Sequence, residues 1–164
     1  MSMSSAKSLL LYQDEPGYGL LLKLIIVVVP VGLLATSIYL WASGESSGAI
    51  VLLAEAFFVS LMFWAVFPRR YQICEDHLRV VLGGPFAVKV RFDQITKIEV
   101  TSRMALTVNF ATRFTKSYVI IVKKNGLSIA ITPKSNELFV DNASQALGEW
   151  ARTRAVGSPA KMRP

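Results

Sequence analysis

The most reactive side chains in this sequence are its single cysteine, Cys74, and its single histidine, His77. A thiol beside an imidazole is the pair that nucleophilic catalysis uses, together with a third group that orients the base. Here the two residues flank a tight turn, Glu75-Asp76, and no orienting group is evident. One cysteine and one histidine also exclude a disulfide framework and a zinc site made by the protein alone. We therefore expect no enzymatic activity and no cofactor, with Cys74 as a small buried or edge residue.

The glycine-rich stretch Gly83-Gly84-Pro85 is a second place where chemistry could occur, because glycine loops can cradle phosphate groups. It lacks the Lys-Ser/Thr pair of a phosphate-binding loop and does not open a helix. Its composition is a strong turn signal instead. We predict a turn between two strands there rather than a nucleotide site.

Glu55 is the conspicuous polar residue of an apolar stretch, residues 49–67. At helical rise it would lie roughly 9 Å beneath the outer end of that stretch, and carboxylates inside a membrane are functional candidates. Three interpretations stay open: a hydrogen bond to Thr36 or Ser37 of the preceding helix, an oligomer interface, and proton or ion transport. A single carboxylate in two helices provides few groups for a transport pathway. The sequence therefore favours the structural or assembly roles.

Two apolar stretches, residues 20–42 and 49–67, decide where all of these side chains can lie. Crossing a hydrocarbon core of roughly 30 Å takes about 20 helical residues, and both stretches are long enough. The short polar loop between them, residues 43–48, cannot hold a domain and forces an antiparallel hairpin. A signal peptide is the alternative for the first stretch, but a small-residue cleavage pattern is missing and a second span follows directly. The sequence predicts a transmembrane hairpin over residues 20–67, preceded by a cytoplasmic segment, residues 1–19.

The distribution of Lys and Arg predicts the orientation of the hairpin, since these residues concentrate on the cytoplasmic side. The 43–48 loop contains neither, whereas Lys7 and Lys23 lie before or within the start of the first stretch. Arg69 and Arg70 follow the second stretch. Both termini are therefore predicted to be cytoplasmic, with the hairpin in the inner (plasma) membrane.

Positive charge is concentrated after the hairpin. From residue 69 onward there are 16 Lys and Arg against 7 Asp and Glu, whereas the part before it has 2 against 4. A basic domain at the inner face of a bilayer gains about 1 kcal/mol per well-placed cation from anionic headgroups. Nucleic acid is the other general partner for such charge, but no nucleic-acid motif is visible. We expect nonspecific binding of anionic lipid and no nucleic acid.

The apolar period changes to two after residue 69, which is typical of strands with one buried face. About seven such segments follow, one of them over residues 105–111, and they predict a meandering antiparallel sheet. A helix that Ser135 is placed to cap, with Glu137 in its first turn, then closes the domain at residue 154. The apolar face of this helix consists of Phe139, Ala143, Ala146, Leu147 and Trp150. Residues 155–164 are predicted to be a loose tail.

This order of elements resembles the bacterial PH-like (pleckstrin-homology-like) domains that follow a pair of transmembrane helices. The stretches that carry the resemblance are YQICEDHLRV at residues 71–80, VRFDQITKIEV at 90–100 and LSIAITPK at 127–134. The resemblance implies an antiparallel sheet or partial barrel of about seven strands over residues 68–154, capped by the C-terminal helix. It also implies a non-enzymatic, membrane-associated module that works as an accessory or scaffold subunit, with a protein partner or as a homo-oligomer.

Phosphoinositide-binding relatives carry a Lys/Arg-x(n)-Lys-x-Arg pattern across their first hairpin. Arg79, Lys89 and Arg91 fit that pattern in letters, although they straddle the second and third predicted strands, and alternation puts all three on the solvent face. With Arg69 and Arg70 they make up the predicted lipid-binding residues. The sequence favours a protein-interaction or assembly role, with headgroup sensing as the alternative and a small transporter or channel subunit using Glu55 as the third interpretation.

Overall fold

Two long helices form a hairpin near the start of the chain. The computed structural model describes residues 9–102, 107–113, 115 and 117–157. Within these, helix α1 (Leu20–Ala42) and helix α2 (Ser46–Val66) are apolar and long enough to cross a membrane. α1 coincides with the predicted 20–42 stretch, whereas α2 begins at Ser46, so the connection is shorter than the predicted 43–48 loop. Gly44 supplies the positive φ of 90° that this tight connection requires.

The two helices approach each other closely through small side chains. Ala49 and Ala56 of α2 and Ser37 of α1 are the buried residues of the hairpin. The hydroxyl of Ser37 donates a hydrogen bond to the carbonyl oxygen of Ala49 at 2.7 Å. Small residues at such an interface allow close backbone packing between helices in lipid. Most of the large apolar side chains of both helices point outward.

The strands form two four-stranded sheets, with strand orders β1-β2-β3-β4 and β5-β7-β8-β6. The strands of the first sheet are β1 (Leu10–Asp14), β2 (Arg70–Cys74), β3 (His77–Val81) and β4 (Ala87–Arg91). Those of the second are β5 (Ile95–Thr101), β6 (Thr107–Phe110), β7 (Tyr118–Lys123) and β8 (Ser128–Ile131). A single-turn 3-10 helix, Phe92–Gln94, joins the sheets.

The predicted antiparallel sheet with a C-terminal helix is confirmed in part. The strands form two sheets instead of one meander, and they do not close into a barrel; all pairings are antiparallel except that of β6 with β8, which is parallel. β6 lies beside β8 and not beside its sequence neighbour β7. Just past the ends of these two strands, the buried Thr112 donates its backbone N–H to the hydroxyl of Thr132 at 2.8 Å. Residues 105 and 106 of the predicted strand lie outside the described residues.

The segment before the hairpin contributes a strand to the first sheet. β1 pairs antiparallel with β2, and the ring of Tyr12 meets that of Phe139 edge-on, with centroids 6.4 Å apart. The backbone N–H of Gly17 donates to the carbonyl of Thr132 at 2.9 Å. The stretch before the hairpin therefore belongs to the same sheet as the strands that follow the hairpin.

A C-terminal helix, α3 (Asn136–Gly157), packs against the sheets and completes the core. It begins directly after Ser135, whose carbonyl accepts the N–H of Phe139. The predicted apolar face is confirmed, since Phe139, Ala143 and Ala146 are buried while Leu147 and Trp150 pack against the core. The helix extends to Gly157, and residues 158–164 of the predicted tail lie outside the described residues.

Candidate functional site

The hairpin and the sheets meet at the end of the hairpin where both helices connect to strands. The hydroxyl of Tyr18, just before α1, donates a hydrogen bond to the carbonyl of Pro68 at 2.5 Å. Its ring meets that of Phe67 edge-on, with centroids 6.5 Å apart. Burial raises the pKa of the Tyr18 phenol, and the nearby Arg69 opposes that shift. The phenol is therefore a neutral donor that ties the two connections together.

The turn between β3 and β4 rests on the last turns of α2. A Cβ added to Gly84 would lie 2.6 Å from the Trp64 ring, and one added to Gly83 would overlap the Trp64 backbone. Gly84 also has a φ of 64°. The sequence predicted a turn at these glycines, and the structure adds a contact with Trp64 that no local pattern signals.

Three arginines converge in a cleft of about 330 Å³ beside this turn. Arg69, Arg70 and Arg79 line it, together with Trp64, Gln72 and Gly84. The guanidinium of Arg69 lies 5.7 Å from the centroid of the Trp64 ring, a cation–π distance. The Nε of Arg79 is buried without a hydrogen-bond partner in the described part of the chain. The cleft thus has donors for an anion at the end of the hairpin.

The register of the first sheet places a fourth cation next to this cleft. Arg79 of β3 lies directly opposite Gln72 of β2 and Lys89 of β4. Residues opposite each other on one face have Cβ atoms about 5 Å apart. Lys89 is exposed and Arg79 is half-buried. Although these residues belong to different strands, pairing brings them onto one outward face, as the alternation predicted.

Arg91 lies on the same face of β4 but is already paired. Its guanidinium forms an ion pair with the carboxylate of Asp93 at 3.0 Å. It is also two residues beyond Lys89, which is about 7 Å farther along the strand. The structure therefore places Arg69, Arg70, Arg79 and Lys89 together and sets Arg91 apart.

Cys74 and His77 lie near the far end of the same sheet. Both are buried, with exposed fractions of 5 % and 7 %. Asp76 is a partner of His77 that was not predicted from the sequence, since its Oδ1 lies 2.6 Å from the ring Nδ1. The adjacency of the two residues in the sequence was the available signal. Because the thiol and the imidazole are both shielded, they do not form an open site.

Glu55 does not make either hydrogen bond that the sequence suggested. Thr36 donates its hydroxyl to the carbonyl of Gly32 at 2.9 Å, and Ser37 donates to Ala49. Main-chain carbonyl oxygens of the helices therefore accept hydrogen bonds from both hydroxyls. Glu55 is exposed on α2 and makes no hydrogen bond or ion pair within the described ranges. The interpretation as a carboxyl paired with Thr36 or Ser37 was wrong.

A second, larger cleft of about 930 Å³ opens between the two helices and the start of β2. Lys23, Arg69 and Arg70 lie at one part of it, and Pro30, Phe63 and Phe67 line another. The sequence did not predict this cleft, because it is assembled from three separate stretches of the chain.

Comparison with known families gives one match. Residues 69–143 match the family model described as a bacterial PH domain. The matched segment runs from the residue before β2 into the first turns of α3. The resemblance stated from the sequence is therefore confirmed over this segment. Neither the curated proteins nor the solved structures contain a significant match to the chain.

Proposed function

We propose, from the premise that residues 69–143 form a bacterial PH domain, that this chain is a non-enzymatic membrane protein that presents the domain to anionic lipid headgroups. The observation that carries the proposal is the convergence of Arg69, Arg70 and Arg79 in one cleft at the end of the hairpin. The domain is an interaction module in this proposal, and the lipid surface is its first partner.

The membrane position of the domain follows from the hairpin. α1 and α2 have the length and composition of membrane spans, and Arg69 and Arg70 directly follow α2. Because cations concentrate on the cytoplasmic side, the domain lies at the inner face of the plasma membrane and the loop at Gly44 lies outside. Lys23 at the start of α1 supports this orientation, while Lys7 lies outside the described residues.

The cations differ in their distance from the membrane, and therefore in the strength of their attraction to its headgroups. The attraction of a cation to anionic headgroups is about 1 kcal/mol near the surface and decays over a Debye length of about 8 Å at physiological salt. Arg69 and Arg70 lie closest to the end of α2. Arg79 and Lys89 lie about 7 Å farther along the strand direction than Arg70. These four residues thus carry most of the interaction.

Photo-crosslinking in nanodiscs tests the headgroup contact with the full-length chain. The discs contain phosphatidylcholine and phosphatidylglycerol whose headgroup bears a photoreactive group. We expect crosslinks on peptides within residues 69–91, and we expect the combined Arg79→Gln and Lys89→Gln changes to lower their yield at least fivefold. The matched control is Lys123→Gln with Lys124→Gln, which removes the same charge at the end of β7.

Equal losses in the two double variants would show that only net charge matters, and the proposed face would be wrong. Raising the salt concentration from 0.1 M to about 1 M shortens the screening length from about 10 Å to 3 Å. The wild-type crosslinking yield should therefore fall with salt. A yield independent of salt would contradict an electrostatic contact.

The orientation has its own test, based on two matched serine-to-cysteine changes. Ser47 lies exposed at the start of α2, and Ser144 lies exposed on α3. In a Cys74→Ala background, a membrane-impermeant maleimide added to intact cells should label Ser47→Cys but not Ser144→Cys. Labelling of Ser144→Cys in intact cells would place the domain outside and overturn the orientation.

A second candidate function is assembly with another copy of the chain, and the observation that favours it is Glu55. α2 extends roughly 14 Å on one side of this residue and 17 Å on the other. A polar group facing lipid at that depth is costly unless it finds a partner. An uncharged carboxyl both donates and accepts hydrogen bonds, so two copies at equal depth can pair.

Crosslinking of the full-length chain in mild detergent tests this assembly. Glu55→Leu should abolish the crosslinked dimer, Glu55→Gln should preserve it, and Ala54→Leu on the neighbouring exposed position should leave it unchanged. A monomer in wild type, or an unaffected dimer in Glu55→Leu, would exclude the pairing.

A further inference from the structure

The larger cleft has two chemically different parts. Three cations, Lys23, Arg69 and Arg70, and one carboxylate, Glu15, line its polar part, which leaves a formal charge of about +2. The rest of the lining is mostly apolar and mostly belongs to the two membrane-spanning helices, including Pro30 and Phe63, while Tyr18 and Ser60 add one hydroxyl each. The cleft thus joins a cationic end to a hydrocarbon-like wall.

The cationic part of the cleft lies at the depth of lipid headgroups, and its apolar part lies at the depth of the acyl chains. Lys23 is in the first turn of α1, and Arg69 and Arg70 follow the end of α2, so the cations lie at the headgroup level. Pro30 and Val31 lie about two turns deeper on α1 than Lys23, at the level of acyl chains. A free phosphate would use the cations but leave the apolar wall without a partner.

We propose that this cleft binds one anionic glycerophospholipid, with its phosphate at Lys23, Arg69 and Arg70 and an acyl chain along Pro30 and Phe63. The site rests on the proposed membrane insertion, but it does not depend on the face formed by Arg79 and Lys89. Its volume of about 930 Å³ is at the upper end of pockets that hold small-molecule ligands. The occupant comes from the surrounding bilayer.

The charge of the cleft determines which lipid it selects. A zwitterionic headgroup has no net charge to balance the excess of about two positive charges, whereas an anionic headgroup balances one of them. Each cation near the membrane surface changes the preference for anionic lipid by about fivefold, the equivalent of about 1 kcal/mol. Lys23 is the cation to test, because it lines this cleft and not the smaller one.

Fluorescence quenching of Trp64, which also lines the cleft, can report the occupant. The full-length chain with Trp41→Phe is placed in phosphatidylcholine vesicles with 10 mol % phosphatidylglycerol. In one preparation bromine is attached near the carbonyl end of the phosphatidylglycerol chains, and in the other an equal amount is attached to phosphatidylcholine. Trp150 lies on α3, where it packs against Phe92 and the core and does not line the cleft.

We expect brominated phosphatidylglycerol to quench Trp64 with at least a fivefold higher apparent affinity than brominated phosphatidylcholine. Lys23→Gln should reduce that preference about fivefold, while Lys23→Arg and Arg79→Gln should retain it. Equal quenching by the two lipids in the wild type, or an unchanged preference in Lys23→Gln, would overturn the site. If headgroup crosslinking is insensitive to Arg79 and Lys89 while Trp64 keeps its preference, the proposed face fails and the cleft stands.

Discussion

Gly83 and Trp64 are in direct backbone contact. A Cβ built on Gly83 would lie 1.4 Å from the carbonyl oxygen of Trp64, a separation that cannot exist without movement. The β3–β4 turn therefore approaches the end of α2 as closely as a residue without a side chain allows. This contact fixes the position of the first sheet on the hairpin, and with it the cleft that Arg69, Arg70 and Arg79 line.

Gly83→Ala should separate the sheet from the hairpin. Since a backbone carbonyl cannot yield as a flexible side chain does, we expect a loss of about 1–3 kcal/mol in stability. Thermal unfolding in detergent, followed by tryptophan fluorescence, measures it. Gly148→Ala is the control, because an added Cβ meets nothing within 4 Å in α3 and alanine favours a helix. Equal melting temperatures for the two variants would contradict the contact.

The stability of the domain should decrease above pH 10 because of Tyr71. Burial raises the pKa of its phenol well above the ordinary value, although the nearby polar groups of Thr132 and Thr112 oppose the shift. Below pH 10 the phenol is neutral in both states, so it adds no pH dependence. Above pH 10 the unfolded chain releases the proton and the folded one keeps it, which lowers stability by about 1.4 kcal/mol per pH unit.

Denaturant unfolding of the wild type and Tyr71→Phe between pH 8 and 11.5 tests this sign. The variant loses the hydrogen bond from the hydroxyl to the Phe110 carbonyl, 2.9 Å long, and should be about 1 kcal/mol less stable at pH 8. Tyr12 and Tyr18 are shifted in the same direction and remain in both proteins. The difference between the two proteins should thus shrink and reverse above pH 10; a constant difference would refute the assignment.

Ala56→Leu should loosen the hairpin, whereas Ala54→Leu should not. Ala56 is 1 % exposed at the contact between α1 and α2, and Ala54 points outward on the same helix. Overpacking a close contact costs about 1–3 kcal/mol. Disulfide crosslinking between cysteines introduced on the two helices, in a Cys74→Ala background, measures their separation. Equal crosslinking rates in the two variants would show that the small interface does not determine the packing.

Lys89→Gln and Arg91→Gln remove the same charge from one face of β4 but should differ in effect. Lys89 lies beside Arg79, while Arg91 is paired with Asp93 and lies farther from the hairpin. In the headgroup-crosslinking measurement we expect Lys89→Gln to lower the yield three- to fivefold and Arg91→Gln to lower it less than twofold. A larger effect of Arg91→Gln would assign the anion to the other end of the sheet.

Much of the fold could be predicted because its signals are local. The apolar length of α1 and α2, the period of two from Arg70 onward and the apolar face of α3 all follow from neighbouring residues. The outward alternation of Arg79 and Lys89 is of the same kind. What failed was the pairing of distant strands, since the patterns of β6 and β8 do not reveal that they run in parallel.

The candidate site shows the same division. The sequence supplied its cations and its turn, but a cleft depends on which segments pack together. The contact between Asp76 and His77 was not predicted, although the two residues are adjacent, because adjacency in the sequence does not show in which direction each side chain points. Lys23 lies in the same cleft as Arg69 and Arg70 because the two helices pack as a hairpin.

By itself, the sequence determined two apolar helices of membrane-spanning length and a basic, strand-rich domain closed by a helix. These features follow from the charge and the hydrophobic pattern of residues that are close together in the chain. Only the tertiary structure decided that β1 pairs with β2 across the hairpin, that Gly83 touches Trp64 and that two clefts open beside Arg69. Those features depend on contacts between residues far apart in the chain. Such contacts produce no periodic pattern in the sequence of either segment.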